Sequence, residues 1–191
     1  MATRFTLDTA RTDIVFSVRH LVVARVRGRF TRFSGTLDLD AQDFAKSVAT
    51  VDVEAASIIT GDDARDEHLR SAEFLEAMRF PVMSFASREI ERRTRYISVV
   101  GPLSLHGVTR DVAFEVQQLA TTEGRVAFSA RGAIDRRDFG LVWDQVLAVH
   151  GALVGFKVDI IVDLEASLAA PVEPPAPPAP AERERPTSPG R

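Results

Sequence analysis

The residues of this chain that could do chemistry are four histidines, a run Arg65-Asp66-Glu67-His68, and two serines that each precede a histidine. Imidazoles at i, i+2 or i, i+4, or a His-Glu-x-x-His element, would present metal-ligating nitrogens on one face of a strand or helix. His20, His68, His106 and His150 have none of these spacings, and no cysteine exists to supply a thiolate, a disulfide or a sulfur nucleophile. No metal site is expected. Ser17 precedes His20 and Ser104 precedes His106, but neither serine sits in a Gly-x-Ser-x-Gly turn, and no acid is placed to orient its imidazole. Gly-rich phosphate loops and redox motifs are missing too, so no catalytic residue is expected. His20, on an apolar strand face, reads as a hydrogen-bonded core residue. His106, followed by Gly107, reads as fixing a hairpin turn. Arg65, Asp66 and His68 lie within a helical turn of Asp63 and Arg70, and would tie a helical cap to the body of the fold through polar contacts.

The elements that position these groups are strands. In Val154 to Glu165, apolar residues recur at every second position while Lys157, Asp159, Asp163 and Glu165 take the other face. A helix cannot satisfy that period. The same alternation runs through 125–134, 111–116 and 14–21, and weaker versions lie near 4–8, 25–39, 47–56, 82–90 and 95–105. Eight or nine strands joined by short turns make an antiparallel meander. A meander that long leaves two exposed edges unless it closes, which favours a barrel. Gly28, Gly35, Gly101 and Gly132 fall where such strands bend or approach closely. One segment breaks the period. Thr60-Gly-Asp-Asp63 resembles a capping box leading a helix over 64–70, and Ser71 is positioned to cap a second over 72–78, ended by Pro81. A further helix or loop is expected between Arg136 and Val149. The fold class is therefore all-β, an eight-stranded antiparallel barrel with short capping helices.

Composition sets the rest. The chain has 191 residues, 45% hydrophobic and 27% charged, with a net charge of -3, in the range of one globular domain. All but two of its 24 basic residues are arginine, and 27 acids are spread among them. No stripe suggests a nucleic-acid track. The Arg88 to Arg95 cluster also carries Glu89 and Glu91 and reads as a solvated hairpin end. No apolar run reaches the ~20 residues of a membrane span, and Met1 to Asp8 lacks a secretory signature, so a cytoplasmic location is expected. Of 10 prolines, eight fall after Ala170. Residues 1–168 form the expected domain and 169–191 a disordered proline-rich tail. That tail reads as a solvated spacer, with recruitment of a partner's aromatic groove as the alternative.

Five segments then carry a resemblance. They are Phe5-Thr-Leu-Asp8 with Ile14 to Leu21; Gly28-Arg-Phe30 with Phe33 to Asp38; Ala56 to Gly61 with Arg65-Asp-Glu-His-Leu69; Phe80 to Phe85; and Gly101 to Thr109, followed by Arg136 to Leu141. Together they resemble the YceI-like family of lipocalin-like polyisoprenoid-binding proteins over residues 4–168. Phe5 stands where that family often has Trp. The resemblance implies a barrel holding a long-chain polyisoprenoid, such as the tail of an isoprenoid quinone, often in a homodimer. It implies no cofactor beyond that small-molecule lipid. Phe16, Val18, His20, Phe30, Phe128, Phe156 and Val158 are bulky, share apolar faces, and are expected to line the lumen, with His20 available to a quinone-like head group. At roughly 0.3 kcal/mol per atom, a 40-carbon chain would reach roughly 12 kcal/mol with no charged anchor. The competing reading is a small barrel hydrolase or isomerase acting on a lipophilic substrate, with His20 or Asp66 as general base.

Overall fold

The computed structural model describes residues 1–20, 24–142 and 154–169; of His20, Ala24 and Val154 it places the backbone alone. Trp143, His150, the 143–149 segment and the tail from 170 onward lie outside the described residues.

Twelve strand segments form one antiparallel sheet among the described residues: β1 (Ala2–Leu7), β2 (Asp13–His20), β3 (Ala24–Phe30), β4 (Phe33–Asp40), β5 (Val48–Glu54), β6 (Ile58–Ile59), β7 (Val82–Ala86), β8 (Glu89–Arg92), β9 (Ile97–Leu105), β10 (Val108–Thr122), β11 (Arg125–Asp135) and β12 (Val154–Leu168). The ladder runs β1-β4-β5-β7-β9-β10-β11-β12 and closes where β12 pairs with β1, Phe5 opposite Leu168. β12 is long enough to pair with β1 at one end and with β2 over Val154 to Asp163, from which β3 and β6 continue. The segments β1/β2, β3/β4, β5/β6 and β7/β8 are therefore each one stave broken in the middle, and the barrel has eight staves. Sequence alternation found the staves but not their breaks, because a kink costs only a few residues of pattern.

Three of the breaks lie side by side. The amide of Glu54 bonds the carbonyl of Arg32 at 3.0 Å, and that of Thr31 bonds the carbonyl of Ser57 at 3.2 Å, so pairing carries across the corner. Ser57 is buried there and donates its hydroxyl to the Glu54 carbonyl at 2.7 Å, while Thr12 meets the carbonyl of Glu165 at 3.3 Å. Buried hydroxyls thus satisfy backbone groups that the kinks remove from the ladder.

Helical content is smaller than the sequence suggested. The α-helix α1 spans Asp63–Arg70, and its N-cap is Asp62, whose carboxylate accepts from the Arg65 amide, rather than Thr60. No second helix forms over 72–78. The chain folds back instead, so that the amides of Leu75 and Ala77 bond the carbonyls of Leu69 and Arg70, and Glu76 takes a left-handed φ of 47°. Those bonds satisfy the last carbonyls of α1, which a continuing helix would have left to water. Residues Arg136–Phe139 form a single 3-10 turn.

Apolar residues gather in two clusters. One packs Phe5, Leu7, Leu37, Ile90, Ile97, Val126 and Phe128 around the β1–β12 closure, where Ala166 is wholly buried. The other packs Ile58, Leu75, Leu105, Val112, Phe139 and Leu141 against the far end of the staves. Phe128, expected in the ligand site, belongs to the first cluster and is a packing residue. Replacing it with alanine should cost about 3–5 kcal/mol in denaturant unfolding, the range for a truncated core phenylalanine.

Candidate functional site

The bore is filled at the closure end and open at the other. A chamber of about 600 Å³ occupies the second half, walled by residues that include Val18, Val26, Leu103, Val158, Ile160 and Val162. That volume lies within the ~300–1,000 Å³ of small-molecule sites. Its floor is the pair Phe85 and Phe114, edge to face with ring centroids 5.2 Å apart, packed on the first cluster from above.

Two aromatic rings lie inside the chamber without blocking it. Phe16 pairs across the ladder with Gly28, and Phe114 with Gly132. A Cβ added at Gly28 would stand 2.3 Å from Phe16 Cζ, and one at Gly132 would stand 2.7 Å from Phe114 Cδ1. Each ring therefore occupies the space above a glycine, against the wall. This is the physical need behind two of the strand glycines singled out by sequence.

Polar groups border the apolar space at two places. The first is α1, from which Asp62, Arg65 and His68 reach the lining. This helix stands where β6 has no further strand beside it, and its side chains replace the missing ladder. Arg70 donates to the carbonyls of Ala56 at 2.8 Å and Ile58 at 2.6 Å. Asp66, buried, accepts from the Thr60 amide at 2.8 Å and its hydroxyl at 2.5 Å. Arg65 donates to the Thr60 hydroxyl at 2.7 Å and carbonyl at 3.2 Å. His68 meets Glu73 at 2.9 Å. Asp66 is thus taken up by Thr60 and is not among the residues that line the chamber.

The second place is Arg136, almost wholly buried, donating to the carbonyls of Gly155 at 3.2 Å and Leu141. The 3-10 turn that carries it is capped by Asp135, whose carboxylate accepts from the Arg137 amide at 3.0 Å and from its guanidinium. Those bonds, the guanidinium first, pull the Asp135 carboxyl from its ordinary 3.8 to about 2. Gly140, at φ 75°, ends the turn.

The candidate residues separate. Phe16, Val18, Phe30 and Val158 meet in the chamber. Phe156 does not: a register shift between Val154 and Val158 turns it outward, where it is 39% exposed with the Arg137 guanidinium 4.0 Å over its ring. The His20 side chain lies outside the described residues. His106 and Gly107, at φ 53° and 72°, form the two-residue turn joining β9 to β10, which suits the strand twist. His106 Nδ1 lies 3.1 Å from the Phe139 carbonyl, and Ser104 pairs with Thr109, so no serine–histidine couple forms there. Sequence reasoning missed Leu103, Met83, Ile160 and Arg136 as lining residues. The outward or inward sense of β7 and β9 was too weakly patterned to read, and Arg136 carried no apolar signal. Among the described residues no cluster of three potential ligating side chains stands ready for a metal, and no helix is long and apolar enough to cross a membrane.

A bore half packed and half open, roofed by a short helix on a broken stave, defines a lipocalin-like barrel. The YceI-like domain model matches residues 5–166, and the chain belongs to that family. It is 30% identical over 173 residues to UPF0312 protein SAB2563 of Staphylococcus aureus, covering 87% of this chain and 99% of that one. Among solved structures it superposes on Burkholderia cenocepacia BcnA with a TM-score of 0.76 at 20% identity, covering 84% of this chain and 99% of that one. A polyisoprenoid-binding domain from Saccharophagus degradans gives 0.70 at 16% identity, with coverage of 86% and 98%. At these identities the two structures attest the fold.

Two expectations follow. Gly28→Ala should force the Phe16 ring off the wall and lower stability by about 1–3 kcal/mol, the cost of overpacking, in denaturant unfolding. Because Asp135 is more acidic folded than unfolded, its contribution is complete above about pH 4 and fades as pH falls toward 2. Arg137→Ala should flatten that part of the stability profile, measured by unfolding at stepped pH.

Proposed function

We propose that the chain is a non-catalytic carrier or store for a long-chain isoprenoid or similar lipid, held tail-first in the chamber. The observation that carries this is a large apolar bore whose charged lining residues, among the described residues, are Asp62, Arg65, His68 and Arg136. Open to water, an apolar chamber of about 600 Å³ leaves its wall hydrated, at a free-energy cost in proportion to its apolar area. An apolar occupant reverses that sign. At roughly 30 Å³ per water-sized group, the chamber takes about twenty such groups, or about four isoprene units. Their burial is worth between ~6 kcal/mol at ligand efficiencies of drug-sized molecules and ~16 kcal/mol at full methylene transfer. No ionic anchor is needed, and a longer chain would leave its remainder at the border beside α1 or Arg136. Membership of the YceI-like family and likeness to a domain described as polyisoprenoid-binding support the same ligand class.

Native mass spectrometry and solvent extraction of protein purified from its own host test this. A co-purifying prenyl lipid is expected, and Leu103→Trp, which fills the bore, should lower its occupancy at least severalfold while Phe128→Ala at the packed end leaves it unchanged. A chain that carries no apolar molecule and takes up no polyprenyl quinone overturns the proposal.

A further inference from the structure

We infer that the outer face of the β2–β3 hairpin docks the protein on an anionic phospholipid bilayer, bringing the chamber to the membrane that supplies its cargo. This rests on the chamber being a lipid-tail site. Strand alternation sends Arg19 of β2 and Arg25, Arg27 and Arg29 of β3 to one outward face, where Arg19 stands directly opposite Arg25 and Arg27 opposite Ser17. All four are exposed, and Lys157 of the adjoining β12 adds a fifth cation. The acids on this face include Asp163, which stands opposite Asp13 and accepts from the Ser129 hydroxyl at 2.6 Å, and Asp135, which stands opposite Lys157 and is engaged by Arg137; the other two face the arginines. Asp159 lies 3.5 Å from Arg25 and is shared with Lys157 at 3.1 Å, and Asp13 lies 3.8 Å from Arg29. Arg19 and Arg27 make no ion pair among the described residues.

The other arginine cluster, Arg88 to Arg95, lies at a different hairpin with Glu89 and Glu91 among it, in a chain whose net charge is -3. Like charges directly opposite each other in a ladder oppose folding, so packing gives no reason for the Arg19–Arg25 pair. An anionic surface does. β3 also joins the two features: its inward Val26 lines the chamber while Arg25 and Arg27 flank it outward. β6 pairs with β3 only at Arg29 and Phe30, so the stretch from Ala24 to Gly28 ends the wall on that side among the described residues. A long hydrocarbon tail has negligible solubility in water and is exchanged where it dissolves, in a bilayer. The cationic face and the end of the wall are separated only by the thickness of one strand.

The test is flotation of the full chain with vesicles of mixed phosphatidylglycerol and phosphatidylcholine, against vesicles of phosphatidylcholine alone. Binding to the mixed vesicles only is expected, fading as salt approaches ~1 M, where charges are screened within about 3 Å. Each arginine at such a surface contributes about fivefold in affinity, so Arg19→Gln with Arg27→Gln should weaken binding about 25-fold. The Arg19→Lys, Arg27→Lys variant should retain most of it, and Arg93→Gln with Arg95→Gln, at the packed end, should change nothing. Equal binding to both vesicle types, indifference to the hairpin substitutions, or stronger capture by polyglutamate than by vesicles, which would mark an acidic protein partner, overturns the inference. Uptake of a fluorescent short-chain prenyl probe in vesicle-free buffer reads the chamber separately: the Gln variant should match the unsubstituted chain there, and loss of uptake in both would overturn the lipid reading on which the inference rests.

Discussion

The pairing of β12 with two different staves is the constraint on which the rest of the structure depends. At Ala166 to Leu168 it meets β1 and shuts the tube, and over Val154 to Asp163 it meets β2, on the half of the barrel that carries the helical roof. An eight-staved barrel has an interior that either its own side chains or one slender ligand can fill. This chain does each in one half. Around the closure, Phe5, Leu7, Leu37 and Phe128 meet across the axis. Beyond the Phe85–Phe114 floor, valines, isoleucines, leucines and phenylalanines line an open chamber, and the Phe16 ring lies against the wall over Gly28.

The polar residues of α1 follow from the same architecture. A stave broken at residues 55–57 leaves β6 only two residues long, with an edge that no strand among the described residues covers beyond the helix. Buried edge groups must find partners. Arg70, Asp66 and Arg65 supply them through the carbonyls of Ala56, Ile58 and Thr60 and the amide of Thr60. Arg65 and Asp66, which the sequence marked as ties between a helical cap and the body of the fold, are together with Arg70 the means by which a helix replaces a strand. Burial in this arrangement fixes the roof, and the roof sets one border of the chamber. Arg136 plays the matching part at the other border, held by backbone carbonyls and by a turn that the Asp135–Arg137 pair closes.

Much of this was legible in residues alone, and the reasons are local. Alternation at 126–134 and 158–164 survives because one face of each stave meets packed side chains or the chamber and the other meets water, so the all-β class and the barrel could be read directly. The His106–Gly107 turn was legible because two consecutive positive φ values demand such residues. What could not be read depended on two-residue events. The shift in pairing between Val154 and Val158 turns Phe156 outward, and nothing in its neighbours' types announces it. Phe128 and Phe16 have the same pattern and the same chemistry, and only their distance along the bore from the closure separates a packing residue from a wall residue. The expected second helix failed for a comparable reason: Ser71 to Pro81 has helical composition, but the carbonyls at the end of α1 take its amides first.

The central claim is that the bore is divided at Phe85 and Phe114. It is tested most directly by an electron-density map of crystals grown from protein purified from its own host. The account predicts a continuous tube of density running from the α1 border past Val18 and Ile160 and stopping on the two rings. Density continuing through the floor to Phe128, or side chains of the chain itself filling the space above it, would contradict the account.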